Sequence, residues 1–221
     1  IALGFVLIYK ATEMVNFAQG DVMMLGAFVA VSFVNLLDLP FVWGVLATLM
    51  VMGLVGALLE RLLLRPMIGE PHFAVLMLTI GLGFLLRALA GAIWGNEPRA
   101  LETPYAGEVL RLGAVVLGYE NVVIMLGTVV LCTLLFLFFR FTRLGIAMQA
   151  ASQNQLAAFY VGIPVKAMYS LVWAMSAGIA AIAGILTAPV SLVDPLIGFV
   201  GIKAFAAAIV GGIGQPIGAI L

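Results

Sequence analysis

Residues 141–165 read FTRLGIAMQAASQNQLAAFYVGIPV, a polar interruption between two long apolar runs, and the chain is organised around it. A connection between neighbouring membrane helices needs only a handful of residues. This one has twenty-five, enough to build structure of its own. Asn154 reads as an N-cap, Gln155–Val161 as a helix of one to two turns, Gly162 as the left-handed residue past its end and Pro164 as the stop. Leu156, Phe159 and Tyr160 share one face of that helix. Such a piece spans about 10 Å, far short of the ~12–15 residues at which an isolated helix holds in water. Its support has to come from outside the segment. Arg140 and Arg143 stand at the start of the loop and Lys166 at its end, with no acid between them, which predicts a cytoplasmic position. The inference is that a cytoplasmic protein grips this short helix.

The rest of the chain is overwhelmingly apolar. Of 221 residues, 65% are hydrophobic and 9% charged, where soluble domains carry about 25% charged residues. The fold class expected is an all-α polytopic membrane protein: a helical bundle with a broken helix near the N-terminus, a short cytoplasmic coupling helix and a small extracytoplasmic loop region. No linker or low-complexity segment divides residues 1–221, so one transmembrane domain is expected. Formal net charge is zero, so no basic field points to nucleic acid. Cys132, the single cysteine, lies inside an apolar run and can form neither an intramolecular disulfide nor half of a CxxC site. His72, alone beside Pro71, reads as a loop residue rather than a metal ligand. The chain opens on nine apolar residues, IALGFVLIY, and closes mid-run on KAFAAAIVGGIGQPIGAIL. A span needs about 20 residues, so both terminal helices are expected to be cut. No signal peptide with a small-residue cleavage site is present.

Taken in order, the fragment 1–9 is followed by KATEMVNFAQGD (10–21) and an apolar run Val22–Leu37. Phe41–Leu59 leads to a charged loop with Arg61 and Arg65, and Phe73–Trp94 crosses again. The loop Asn96–Glu120 carries Glu97, Glu102, Glu108 and Glu120 against Arg99 and Arg111, and its prolines and glycines exclude a long helix. Orientation follows Lys and Arg near short loops, so the Arg61/Arg65 and Arg140/Arg143/Lys166 loops go inside and this one outside. Parity agrees, because one crossing separates each from the next. Within the outer loop, VLRLGAVVLGYENVV is compatible with a small hairpin. Val122–Phe139, Met168–Pro189 and Ala204–Leu221 complete seven apolar runs, the first and last incomplete.

Asn16-Phe17-Ala18-Gln19-Gly20-Asp21 is the most telling interruption within the membrane region. Non-helical backbone at membrane depth is tolerated only where protein or a water-filled cavity surrounds it, so a broken helix here would wall a permeation path. The other reading is an ordinary cytoplasmic turn, with Asp21 complementing the dipole of the next helix. Both stay open. Arg87 lies seven residues before Trp94, about 10 Å inside the outer end of its helix. An intramembrane Arg is costly, and a structural pair or snorkelling is favoured over a substrate role. Gly214 and Gly218 form a GxxxG spacing, and with Gly211, Gly212 and a kinking Pro216 they read first as helix packing, second as a broken helix at a transport cavity. Gly53, Gly56, Gly178 and Gly184 read as packing residues.

Absences narrow the function. There is no Walker A sequence, no HExxH and no GxSxG. Arg87 is the one ionisable group the sequence places within a span, where a proton-coupled carrier would show more. The expectation is that the chain is not an enzyme, binds no cofactor or metal, and draws energy from elsewhere.

At this point the residues resemble the permease subunits of branched-chain amino-acid ABC importers, of the LivH type, over essentially the whole chain. IALGFVLIYKATEMVNFAQGDVMMLGAFVA is similar to that family's opening, with Gln19 where His is usual. Arg65-Pro66, Leu78-Thr79-Ile80-Gly81, Thr142-Arg143-Leu144-Gly145, Gly162-Ile163 and Lys203-Ala204-Phe205 leading into Gly211-Gly212 fall in the family's order. Leu156-Ala157-Ala158-Phe159-Tyr160-Val161-Gly162 has the spacing of the Glu-Ala-Ala-x-x-x-Gly coupling segment, with Leu156 in place of the acid. Ile146 and Gln149 stand where the family tends to carry basic residues. These departures remove charge from the docking surface and leave the steric match of Ala157, Ala158 and Gly162.

The resemblance implies a multi-pass protein of a bacterial-type inner membrane with a second related permease chain, two cytoplasmic ATPase chains that bind the ATP, and an extracytoplasmic binding protein delivering leucine, isoleucine or valine. It implies Asn16, Phe17, Gln19, Gly20, Thr79, Gly211 and Gly212 near the translocation path, and Asn154, Leu156, Ala157, Ala158, Phe159 and Gly162 at the ATPase. The mechanism expected is alternating access. Rival readings are the same machinery importing urea or short amides, and a passive channel.

Overall fold

The computed structural model describes residues 1–12, 14–112 and 115–212. In chain order the helices are α1 (Ala2–Thr12), α2 (Gln19–Val31), α3 (Phe41–Leu59), α4 (His72–Trp94), α5 (Tyr119–Phe141), α6 (Arg143–Gln153), α7 (Gln155–Tyr160), α8 (Val165–Ser191) and α9 (Val200–Val210). Wide turns carry α2 on to Leu36 and α3 on to Met67. With these, five segments among the described residues are long and apolar enough to cross a membrane: Gln19–Leu36, Phe41–Met67, His72–Trp94, Tyr119–Phe141 and Val165–Ser191. This is the multi-pass helical protein the composition predicts. The expected hairpin is present in the loop before α5, where β1 (Val109–Leu112) pairs antiparallel with β2 (Val115–Gly118), Val109 opposite Gly118.

The central post is α8, 27 residues and about 40 Å long, against which α1, α2 and α3 pack. Lipid is as apolar as a leucine side chain, so helices associate there through close van der Waals fit, and small residues set the approach. A Cβ at Gly184 would lie 2.5 Å from the Met23 carbonyl oxygen and 3.1 Å from the Ala27 amide nitrogen. One at Gly56 would lie 2.5 Å from the Trp173 carbonyl oxygen, and one at Gly26 would lie 2.6 Å from the Ala181 Cα. Gly178, expected to pack, has open space before it, and Gly53 only a loose neighbour. The α5 helix carries no buried residue and touches α8 where Leu186 lies on Gly127. Its exposed Met125, Val129 and Phe136 are what a lipid-facing helix presents.

Hydrogen bonds at the two ends group the loops as the charge reading groups them. At one end Arg65 Nη2 donates to the Lys166 carbonyl (3.2 Å) and to Ser170 Oγ (2.7 Å), so the two positively charged loops lie together. At the other, Trp94 Nε1 donates to Ser32 Oγ (2.6 Å), and the Arg99 amide donates to the Val193 carbonyl (2.9 Å). The polar interruption holds two helices where the sequence reading placed one. Thr142 starts α6 by accepting the Gly145 amide (2.9 Å), and Asn154 starts α7 by accepting the Ala157 amide (2.9 Å). Gly162 ends α7 at φ +86, in the left-handed region that glycine enters freely.

Filling the α2–α8 crossing should therefore be costly and filling the open position should not. Gly184→Leu is expected to destabilise the purified protein by about 1–3 kcal/mol through overpacking. Gly178→Leu should melt at the wild-type temperature in the same detergent.

Candidate functional site

The chain leaves the helix at Thr12, whose hydroxyl donates back to the Ile8 carbonyl (2.8 Å), and resumes it at Gln19. Asn16 and Gln19 at the break are each 1% exposed, and Thr79 and Ser176 beside them are buried too. Their polar atoms are satisfied by one another and by backbone. The Gln19 side-chain amide donates to the Ser176 carbonyl (3.2 Å), and Asn16 Nδ2 donates to Gln19 Oε1 (3.2 Å). Asn16 Oδ1 accepts the Ala18 amide (3.1 Å), and Thr79 Oγ1 accepts the Phe17 amide (3.3 Å). The Ser176 hydroxyl lies between the Gly4 carbonyl (3.1 Å) and Gln19 Oε1 (3.2 Å). Ser176 stands eleven residues after Val165 and fifteen before Ser191, roughly 16 and 22 Å from the two ends of α8. The break therefore lies midway along the bundle and is enclosed by it. That geometry excludes an ordinary cytoplasmic turn, which would lie at the end of α8.

In the first turn of α2 the bundle holds an ion pair. Arg87 reaches Asp21 Oδ1 with Nη2 at 2.7 Å and Nε at 3.2 Å. Glycines make the slot for it: a Cβ at Gly83 would lie 2.5 Å from Asp21 Oδ2, and one at Gly198 would lie 2.6 Å from Oδ1. The Phe199 ring covers the guanidinium from the other side, its centroid 4.1 Å from Cζ. Gly20 meets the carbonyl oxygen of Gly198 and the Cα of Gly201 so closely that no side chain fits. Arg87 is thus a structural partner, as favoured from the sequence. The accompanying statement that it is the lone ionisable group within the spans is corrected. Asp21 is buried beside it, and Glu60 is buried at the far end of α3, held by Arg65 Nε (3.0 Å), Arg65 Nη2 (2.9 Å) and the Ser170 hydroxyl (2.6 Å).

Not every path residue implied by the resemblance gathers at the break. Asn16, Gln19, Gly20 and Thr79 do, and Phe17 joins them half-buried, its ring 4.9 Å from that of Phe205. Gly211 and Gly212 end α9, the latter at φ +92, about 9 Å along the helix from Phe205. Gly214, Pro216 and Gly218 lie outside the described residues.

The short helix α7 stands at the end of the bundle that holds Lys166. Ala157, Phe159, Tyr160, Val161 and Gly162 are exposed, Tyr160 at 82%. Ala158 is 3% exposed, and the Ile163 amide donates to its carbonyl (2.9 Å). Ala158 thus packs beneath the helix, while its neighbours face outward. The side chain of Leu156 lies outside the described part.

A family model described as "Branched-chain amino acid transport system / permease component" matches residues 1–221. The chain belongs to that family. Among curated proteins this permease is 30% identical to the high-affinity branched-chain amino acid transport system permease protein BraD of Pseudomonas aeruginosa, over all of this chain and 76% of that one. It is 28% identical to LivH of Escherichia coli, with the same coverage. It is 30% identical to a probable branched-chain amino acid transport permease protein of Methanocaldococcus jannaschii, over all of this chain and 72% of that one. No solved structure matches. Sequence reasoning missed Ser176 and Glu60, and it gave Asp21 a helix-dipole role without pairing it to Arg87. An arginine inside a span demands a counter-ion, a signal that could have found Asp21. Nothing in a run of small apolar residues singles out Ser176.

Removing one partner of a buried pair leaves the other charge uncompensated. Arg87→Met should lower the stability of the purified permease by about 3–5 kcal/mol. The double variant Asp21→Asn/Arg87→Met should recover most of that loss, measured by thermal unfolding as a double-mutant cycle.

Proposed function

We propose that this permease is the membrane-spanning subunit of an ATP-driven importer of branched-chain amino acids that works by alternating access. It pairs with a second related permease, two cytoplasmic ATPase subunits that bind the ATP, and an extracytoplasmic binding protein, in the inner membrane. The names of its relatives support the cargo. The observation that carries the mechanism is α7, a six-residue helix whose aromatic face is bare at the positively charged end of the bundle. A soluble surface gains by covering Phe159, Tyr160 and Val161, which are 67%, 82% and 77% exposed.

From that docking point, α8 supplies the mechanical link. It starts five residues after α7 ends and carries Ser176 at its middle, which bonds the broken helix. The Glu60–Arg65–Ser170 cluster clamps the α3–α4 connection to the first turns of α8. Closure of the ATPase dimer draws the two docked helices together, and α8 carries the tilt to the break. Differential docking between ATPase states has to drive this, because a ligand shifts an equilibrium only by favouring one state.

Tyr160→Arg and Ala157→Glu, both on the exposed face, should cut leucine uptake and transport-stimulated ATP hydrolysis at least about tenfold, as loss of an interface anchor does. The melting temperature of the permease and the amino-acid affinity of the binding protein should stay at wild-type values. Wild-type uptake in both variants would overturn the docking reading. Screening the binding protein against leucine, isoleucine, valine, urea and short amides tests the cargo.

A further inference from the structure

Lys203 stands in the apolar helix α9 and takes part in neither ion pair. Asp21 is paired with Arg87 and Glu60 with Arg65, and among the described residues no hydrogen bond or ion pair reaches the Lys203 ammonium. Its side chain is exposed on α9, on the face that also exposes Phe199 and Ile202. Three contacts set its depth. A Cβ at Gly201 would lie 2.6 Å from the Gly20 Cα, so this turn of α9 sits on the start of α2. The Phe205 ring lies 5.4 Å from Phe5 and 4.9 Å from Phe17. Phe5 follows Gly4, whose carbonyl meets Ser176 midway along α8. Lys203 lies between Gly201 and Phe205, about 3 Å along the helix from each. It is therefore at the level of the break.

An exposed ammonium at that level cannot face acyl chains without a large cost, and a four-carbon stem is too short to reach headgroups about 15 Å away on either side. This face of α9 looks into water or onto other protein. We propose that Lys203 lines the translocation path and binds the carboxylate of the amino acid in transit, with Phe199 and Ile202 receiving its apolar side chain. The assignment rests on the import reading above and adds what that reading lacks, a group that tells an amino acid from a neutral amide. A compact ammonium forms a charge-assisted hydrogen bond with a carboxylate, and urea offers no anion. Arg87 cannot serve instead, because Asp21 occupies its guanidinium and Phe199 covers it. The sequence of α9, VGIKAFAAAIV, contains no acid to neutralise the lysine.

The test uses the complete transporter, with both permeases, the ATPases and the binding protein, in liposomes. Lys203→Met should lower leucine uptake at least about tenfold, and Lys203→Arg, which keeps the charge, should restore most of it. Lys203→Cys in a Cys132→Ser background should be labelled by a membrane-impermeant thiol reagent, a readout independent of transport. Wild-type import with an unaffected Lys203→Met variant overturns the assignment alone. So does an unlabelled thiol, or a Lys203→Met chain that no longer co-purifies with the second permease, either of which places the lysine in a protein interface. A wild-type complex that imports no amino acid overturns the carboxylate assignment together with the import reading.

Discussion

Backbone that leaves the helix at membrane depth must have its amides and carbonyls satisfied by protein, and this permease is built around meeting that constraint at residues 14–18. Thr79 on α4 takes the Phe17 amide, Asn16 the Ala18 amide and Thr12 the Met14 amide. Gln19, just past the break, joins Ser176 on α8, which reaches the Gly4 carbonyl on α1. Each bond lies in a low-dielectric interior, where an unpaired partner is expensive. The break therefore fixes α1, α2, α4 and α8 relative to one another. It also explains the close glycine contacts around it, since a side chain at Gly4 would collide with the Gln19 amide and one at Gly20 with the Gly198 carbonyl.

Two ion pairs, each with its carboxylate buried, extend the same logic. Asp21–Arg87 joins α2 to α4 and lies against the turn that opens α9, while Glu60–Arg65 joins the end of α3 to the beginning of α8. A buried pair is weak evidence for stability but a strong constraint on geometry, because misplacing either partner strands a charge. In the import reading, such joints suit a machine that must tilt as rigid pieces. The helix α8 bears on the Glu60 cluster near one end and on the break at its middle, so displacement at α7 has a stiff route inward.

The α7 segment shows how far local chemistry reaches. Asn154, Gly162 and Pro164 placed a short helix in the sequence because capping and left-handed backbone are decided within a few residues, and the helix stands between those same residues. The helix α6 beside it was not legible. Its cap is Thr142 accepting the Gly145 amide, and its apolar residues are too few for periodicity to announce it. Ala158 shows the limit of reading a face from a motif. It matched the docking segment by spacing, yet it faces inward, because the way a two-turn helix is rolled depends on what lies under it.

By itself the sequence determined that the chain is a helical membrane protein, which of its loops share one end of the bundle and where the short helix begins and ends. Those follow from apolar run length, from the placement of Lys and Arg, and from capping, all properties of neighbouring residues. Only the tertiary structure decided that 14–18 is enclosed at mid-depth, that Arg87 belongs to Asp21, that Glu60 is buried and that Lys203 has no counter-ion among the described residues. Asp21 and Arg87 are separated by 66 positions, and Gln19 and Ser176 by 157. Pairings at that range are settled by how the helices pack, and no local pattern encodes them.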